Sequence, residues 1–377
     1  MTVALRVVLD QLVAPTDDDL AAASTWLARG LVAAAPDGCE VTAIVPAASA
    51  DQLETMNAEI AGLAGVHRAM LGRRELAAAW QLGASSGVGG GMVHSPTLFA
   101  PLVKHDRVHD HDQTVVTLWD LDAWESPDSL PRSAVAWHRA MLKRAKKHAD
   151  AVVVPTHAMA VRLGELARLG DRVRVIAGAP PAGFALPSDA PGRLRDLALP
   201  PEFVLVDATG GLPAALAAAA QALAADPGLH AVAVGAAEGA EPAIADAAAA
   251  AGIPERRIHV RGALPSRDRA AVTGSARAFV TASRRSAFPW RVLEALQLGT
   301  PVVAAASPVH AEVILDGGLV VGDPDGQVDA DGLAAALART VTDEEAVRRL
   351  RVLATDRARA FSWRAAADRV WQLHADL

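Results

Sequence analysis

ARAFVTASRRSAFPWRVLEALQLGTPVVA, residues 276–304, decides how the rest of the chain is read. The β-branched run at 278–281 reads as a strand, a stretch of helical period follows, and 300–304 reads as a second strand. Strand, helix and strand in so short a span is the repeating unit of a parallel sheet covered by helices. The same rhythm runs outward in both directions. Candidate strands at 203–206, 231–235 and 257–260 precede the stretch, and 319–321 follows it. The first half offers strands at 6–9, 40–45, 91–94, 114–118 and 151–155, with helices such as 19–34 and 131–149 between them. Residues 177–201 are rich in Pro, Gly and Ala and lack period, which marks a connection between two halves. The expected organisation is an N-terminal domain over 1–180, a linker at 181–200 and a second domain over 201–360. A C-terminal amphipathic helix at 361–377, anchored by Trp363 and Trp371, is expected to pack back on the first domain. The fold class is α/β, two Rossmann-like doubly wound parallel-sheet domains, which place their ligands at the carboxyl ends of the strands.

Bulk properties agree with that reading. A chain of 377 residues suits two domains of comparable size, and 51% apolar against 21% charged residues supplies two cores. The net charge of −7 argues against a nucleic-acid partner, which needs a basic face. Cys39 is the single cysteine, so a reducing, cytoplasmic setting is expected. The opening MTVALRVVLDQL reads as a strand and has neither the basic start nor the long apolar run of a signal peptide.

Several motifs carry a resemblance to a known family. Ala276-Arg277-Ala278-Phe279-Val280-Thr281-Ala282-Ser283 resembles the strand that precedes the signature of family 4 glycosyltransferases, with Ala282 where the family has proline. Leu293-Glu294-Ala295-Leu296-Gln297-Leu298-Gly299-Thr300-Pro301-Val302-Val303 is similar to the signature helix and the strand after it. His310-Ala311-Glu312-Val313, Gly317-Gly318-Leu319-Val320-Val321 and Asp323-Pro324 follow at the family's spacing, and Arg261-Gly262-Ala263-Leu264 precedes them. In the first half, Pro155-Thr156-His157-Ala158 resembles a strand end of the same family. The resemblance implies the GT-B fold, two such domains facing across a cleft, with the second holding a UDP- or GDP-hexose donor and the first an acceptor. It implies retaining transfer to a cell-envelope or exopolysaccharide acceptor, with no metal and no cofactor beyond the donor, because basic side chains and a helix N-terminus neutralise the diphosphate.

Against that expectation the chain departs at four positions. Transfer develops negative charge on the leaving phosphate, and stabilising it is usually the largest catalytic effect. The family uses an Arg and a Lys after the second domain's first strand; here Asp196 through Glu255 contains neither residue type. Thr209, Gly210 and Gly211 are left to offer backbone N–H groups to a phosphate. The family's paired carboxylates survive only as Glu294, expected at the ribose, because the first position is Ser286. Arg284, Arg285 and Arg291 are the candidates to replace the missing charge. The Gly-rich loop of the first domain is replaced by Ala14-Pro15-Thr16-Asp17-Asp18-Asp19-Leu20, where Thr16 or Asp17 is better read as a helix cap. The family's His-Asp pair is Trp119-Asp120 here. Asp120 and Ser286 are the two positions to which a catalytic role could fall, and His94 is the acceptor-side candidate.

Other groups carry weaker signals. His105, His109 and His111 alternate with Asp106, Asp110 and Asp112 without regular ligand spacing, which reads as a solvated loop and not a metal site. Gly87-Val-Gly89-Gly90-Gly91 is a turn into a strand. Lys143, Arg144, Lys146 and Lys147 sit on one helix and suit peripheral contact with anionic lipid or a lipid diphosphate. The expectation is a glycosyltransferase-like protein whose activity is impaired or lost. The alternatives are a non-catalytic partner or scaffold of an active paralogue, and a sugar-binding protein using the cleft.

Overall fold

The computed structural model of the chain describes residues 2–84, 87–88 and 90–377, so Gly89 of the glycine-rich turn lies outside the described residues. The chain forms two compact units. One is built from Met1–Ala182, Ser286–Phe288 and Phe361–Leu377, the other from Gly183–Arg285 and Pro289–Ala360.

The first unit contains a seven-stranded sheet: β1 (Val3–Val8), β2 (Cys39–Val45), β3 (Gly65–Arg68), β4 (Met92–Ser95), β5 (Gln113–Thr117), β6 (Ala151–Val154) and β7 (Val173–Val175). All neighbours pair in parallel, in the order β3-β2-β1-β4-β5-β6-β7. Two of these strands escape the sequence reading. β3 and β7 are the sheet's edges, and both are short, half-exposed and interrupted by charge or histidine (GVHR and VRV). An edge strand has no second neighbour to bury it, so it loses the continuous apolar run that identifies an inner one.

The same unit takes in the C-terminal helix Trp363–Asp376. Trp363 Nε1 donates to the Pro180 carbonyl at 3.0 Å and Trp371 Nε1 to the Leu31 carbonyl at 3.0 Å. The helix lies so close to Asp18–Ala33 that a Cβ on Gly30 would stand 2.8 Å from the Trp363 carbonyl oxygen. A glycine without positive φ is needed there for proximity alone.

The second unit contains six parallel strands: β8 (Phe203–Asp207), β9 (His230–Val234), β10 (Ile258–Arg261), β11 (Phe279–Thr281), β12 (Val302–Ala305) and β13 (Leu319–Val321). Their order is β10-β9-β8-β11-β12-β13. Helices Leu212–Ala225 and Ala330–Thr342 bring Ala215, Leu216, Ala219, Leu333 and Leu337 onto Val204, Val280 and Val303. The alanine enrichment therefore has a structural use, since small side chains let helices approach each other and the sheet closely. Residues 190–196, inside the segment read as a linker, form the helix Ala190–Asp196, and Arg193 ties it to Asp268 at 2.5 Å.

Strand order reverses between β1 and β4 in the first sheet and between β8 and β11 in the second. In a doubly wound sheet such a reversal opens a crevice at the carboxyl ends of the strands. Among the described residues, no helix is long and apolar enough to cross a membrane.

Candidate functional site

In the second unit the reversal brings the loop after β8 against the loop after β11. Asp207, at the end of β8, is buried. Its Oδ1 accepts from the Thr209 N–H at 2.9 Å and the Thr209 hydroxyl at 2.7 Å, and its Oδ2 accepts from the Thr281 hydroxyl at 2.7 Å. One carboxylate thus pins both loops. Gly210 and Gly211 follow, and Gly211 is the left-handed N-cap (φ 64) of the 14-residue helix Leu212–Ala225. A Cβ on Gly211 would lie 2.1 Å from the Ala282 carbonyl oxygen. Among the described residues the Gly210 and Gly211 N–H groups have no hydrogen-bond partner. They sit where the positive end of the helix dipole favours an anion. The Thr209 N–H, expected to join them, is turned to Asp207 instead.

The candidate replacement cations all have partners. Arg284 donates to the Pro324 carbonyl at 2.5 Å and also to that of Gly326. Arg285 is half-buried and has a partner of its own. Arg291 Nη1 donates to Glu294 Oε2 at 2.5 Å. Glu294 is only 3% exposed and receives a second guanidinium, because Arg269 Nε reaches Oε1 at 2.9 Å and Oε2 at 3.0 Å. Arg269 is itself fixed, donating to the Leu264 carbonyl at 3.0 Å and lying 5.8 Å from the Phe184 ring centroid. A buried carboxylate needs such partners, since an unpaired charge at that depth costs several kcal/mol.

The remaining candidates belong to the first unit. His94 is fully buried in β4, its Nδ1 3.3 Å from His374 Nε2, so the acceptor-side histidine has no exposed atom. Burial holds it well below the usual imidazole range, and the nearby His374 adds to the effect. Trp119 is also buried, donating from Nε1 to the Pro96 carbonyl at 2.8 Å and packing on Phe288 and Trp363. Its indole is a core side chain. Asp120 Oδ1 accepts from the Asp122 N–H at 3.0 Å, and the Asp120 backbone forms an antiparallel bridge to Ala287. Ser286 gives its N–H and its hydroxyl to Glu125 at 3.2 and 3.0 Å, and Arg162 Nε holds the same carboxylate at 2.6 Å. In the loop after β1, Asp17 caps the helix Asp18–Ala33 by accepting from the Leu20 N–H at 3.0 Å, the role read for it in the sequence.

Histidines of the 105–111 loop pair locally: His105 with Asp150 at 2.8 Å and His109 with Asp106 at 2.8 Å. No group of three or more metal-ligating side chains is placed around a common point among the described residues. Lys143, Lys146 and Lys147 are exposed, whereas Arg144 turns inward to the Leu102 carbonyl.

Residues 207–343 match the family model described as "Glycosyl transferases group 1". The matched stretch runs from the end of β8 to the residue after helix Ala330–Thr342. No curated protein matches the chain by sequence. Among solved structures, a sucrose-phosphate synthase from Thermosynechococcus elongatus is similar over 99% of this chain and 98% of its own, with 19% identity and a TM-score of 0.67. HepE of Anabaena, solved with UDP and glucose, is similar over the whole of both chains, with 16% identity and a TM-score of 0.68. A glycosyltransferase from Rickettsia africae is similar over 100% of this chain and 98% of its own, with 13% identity and a TM-score of 0.65. At these identities the likeness is one of fold: the two parallel-sheet domains match the GT-B architecture.

Three side chains of these arrangements were not picked out from the sequence. Arg269 and Asp207 became visible only through their partners, Glu294 and Thr281. The Asp-x-Thr spacing of 207–209 was a usable signal, because an Asp at a strand end commonly takes the N–H two residues on. Glu125, which meets Ser286, had no local signal.

Proposed function

We propose that the group 1 domain receives the diphosphate of a UDP- or GDP-hexose on backbone N–H groups alone, and that glycosyl transfer by this chain is impaired or lost. The observation that carries this reading is the unpartnered Gly210–Gly211 N–H pair at a helix N-terminus, while Arg284 and Arg291 are turned to other acceptors. The sixty residues 196–255, which include that loop, contain no Arg or Lys. A helix terminus favours an anion by about 0.3–1 kcal/mol at the surface, whereas each charge-assisted hydrogen bond contributes about 1.5–3 kcal/mol. Removing two such bonds turns a micromolar ligand into one near millimolar.

Glu294 keeps its assignment to the ribose hydroxyls in this proposal, with Arg269 and Arg291 orienting its carboxylate. Ser286 cannot act as the family's first carboxylate, and its hydroxyl already serves Glu125. The nucleotide reading is supported by HepE, which shares the fold and was solved with UDP and glucose. The acceptor side carries no separate assignment beyond the class expected from the resemblance, a cell-envelope or exopolysaccharide chain.

Calorimetric titration of the full chain with UDP, GDP and UDP-glucose at low salt tests the proposal. Dissociation constants near or above millimolar, with no release of hexose, are the expected result. Micromolar binding of any of them would overturn the impaired reading. No heat at all would remove the donor and turn attention to the partner role beside an active paralogue.

A further inference from the structure

A second basic site lies in the first unit, at the amino ends of β5, β6 and β7. Doubly wound sheets bind their ligands at the other ends of the strands, so this site is outside the crevice discussed above. Lys104, Arg107, Lys147, Arg172 and Arg174 line a basin of about 560 Å³. They come from three places: the 101–112 loop before β5, the last turn of helix Arg132–His148, and β7 with the turn before it. Sequence alone singled out only the helix, and in the structure Lys147 turns out to share its surroundings with residues over 25 positions away on either side.

The basin's electrostatics follow from which charges are already paired. Arg172 is a structural tie, donating to the carbonyls of Leu169, Ala149 and Lys146. Arg174 donates to the carbonyls of Asp171 and Val173. Those acceptors are neutral, so both guanidinium charges remain uncompensated. Lys104, Arg107 and Lys147 are exposed and form no ion pair among the described residues. Three carboxylates oppose them. Asp150 is occupied, accepting from His105 Nε2 at 2.8 Å and from the Thr114 N–H at 2.8 Å. Asp376 accepts from Gln372 Nε2 at 2.6 Å, which leaves its charge in place, as Asp171 keeps its own. Five permanent cations thus face three carboxylates, Asp150, Asp171 and Asp376.

Two imidazoles report the local field. His148 is held below its ordinary range, by burial first and then by the charges of Arg144, Lys147 and His105. His105 is raised, chiefly by its hydrogen bond to Asp150.

We propose that this basin binds a phosphate-bearing group, either pyrophosphate or the phosphate of an anionic phospholipid headgroup. Lys104 and Arg107 from the 101–112 loop and Lys147 from the end of helix Arg132–His148 supply mobile charge, while Arg172 and Arg174, held by backbone carbonyls, supply fixed charge. A phosphate matches such a set better than a carboxylate, because its oxygens can meet several guanidinium and ammonium groups at once. The site is separate from donor binding in the group 1 domain, and the two can fail independently.

The test uses the full chain at low ionic strength. One arm titrates inorganic pyrophosphate by calorimetry; the other sediments the protein with phosphatidylglycerol vesicles, using phosphatidylcholine vesicles for comparison. The double variant Lys104→Glu, Lys147→Glu reverses two exposed charges that anchor no element, and Arg348→Glu, in the other unit, gives a charge change elsewhere. Binding in either arm, lost at least tenfold in the double variant and kept in Arg348→Glu, is the expected result. Binding of pyrophosphate identifies a soluble ligand, and binding of phosphatidylglycerol vesicles alone identifies a lipid headgroup. Absence of binding in both arms overturns the proposal, as does binding indifferent to the double reversal. Any UDP signal that survives the double reversal belongs to the group 1 domain and leaves the two proposals distinguishable.

Discussion

Gly211→Ala should destabilise the group 1 domain by about 3 kcal/mol, a larger loss than any other single methyl added in the loops at its strand ends. Two effects add at this position. A left-handed backbone costs a side-chain-bearing residue about 1–2 kcal/mol, and Gly211 has φ 64. The new Cβ would also lie 2.1 Å from the Ala282 carbonyl oxygen and 2.5 Å from its carbon, both backbone atoms that no rotamer change can move. Gly210→Ala meets the Ser283 hydroxyl at 2.9 Å, a side chain that can rotate away, so its cost should stay near 1 kcal/mol. Gly38→Ala separates the two effects, because Gly38 has φ 78 and nothing within 4 Å of the added atom. Urea unfolding of the three variants should rank Gly211→Ala far below the other two. Equal midpoints for Gly211→Ala and Gly38→Ala would show that the loop after β8 does not press on Ala282 as described.

Acidification should release the C-terminal helix from the first unit. His374 is buried on that helix, and burial depresses its pKa to about 4, with Asp150 acting weakly the other way. His94 faces it, and burial depresses its pKa as well. The other polar group against His374 is Gln113, whose Oε1 lies 2.8 Å from His374 Nδ1. The sign follows from which state binds the proton. Above pH 6.5 neither the folded nor the unfolded imidazole is charged, and the pair costs nothing. As pH falls from 6.5 towards 4, the unfolded chain takes up protons that the folded chain excludes, so stability falls with pH. For His374 alone the loss reaches roughly 3 kcal/mol at pH 4, from 1.36 kcal/mol for each pKa unit. About 2 kcal/mol of it arrives between pH 7 and pH 5, where most carboxylates are still ionised. Melting temperatures across that window should fall by several degrees, and by less in His374→Gln, which keeps a donor and an acceptor at the site. An unchanged pH slope in the variant would assign the acid sensitivity to other groups.

How much of this was legible in the sequence depended on the range over which each feature is encoded. The inner strands declared themselves through local apolar runs, and all six strands of the second unit lie within two residues of their expected positions. β3 and β7 did not, because an edge strand is defined by what it lacks. The helix cap at Asp17 was readable because cap and helix are adjacent in the chain. The candidate site was readable only in part. Residue types at 209–211, 286 and 294 were sufficient to locate a loop and a helix, but their partners are remote: Arg269 is 25 residues from Glu294, Thr281 is 74 from Asp207 and Glu125 is 161 from Ser286. A side chain's availability is set by such partners. Counting the arginines near position 290 therefore gave three candidate cations, where the structure shows each already bonded.

The first unit's make-up bears on how the protein is born on the ribosome. Its polypeptide is not continuous, for Ser286–Phe288 and Phe361–Leu377 belong to it along with the first 182 residues. When residue 182 has been synthesised, Trp119 still lacks Phe288 and Trp363, and Leu31 still lacks Trp371. The unit's last apolar surfaces stay wet until residues 286–288 and 361–377 have been translated. The intervening segment, folded as a parallel sheet with strands of its own, can mature first and shorten the loop that the late pieces must close. Such a nascent chain would offer chaperones a long interval in which to act, and cutting the gene between the units would leave neither a finished first half nor a clean second one.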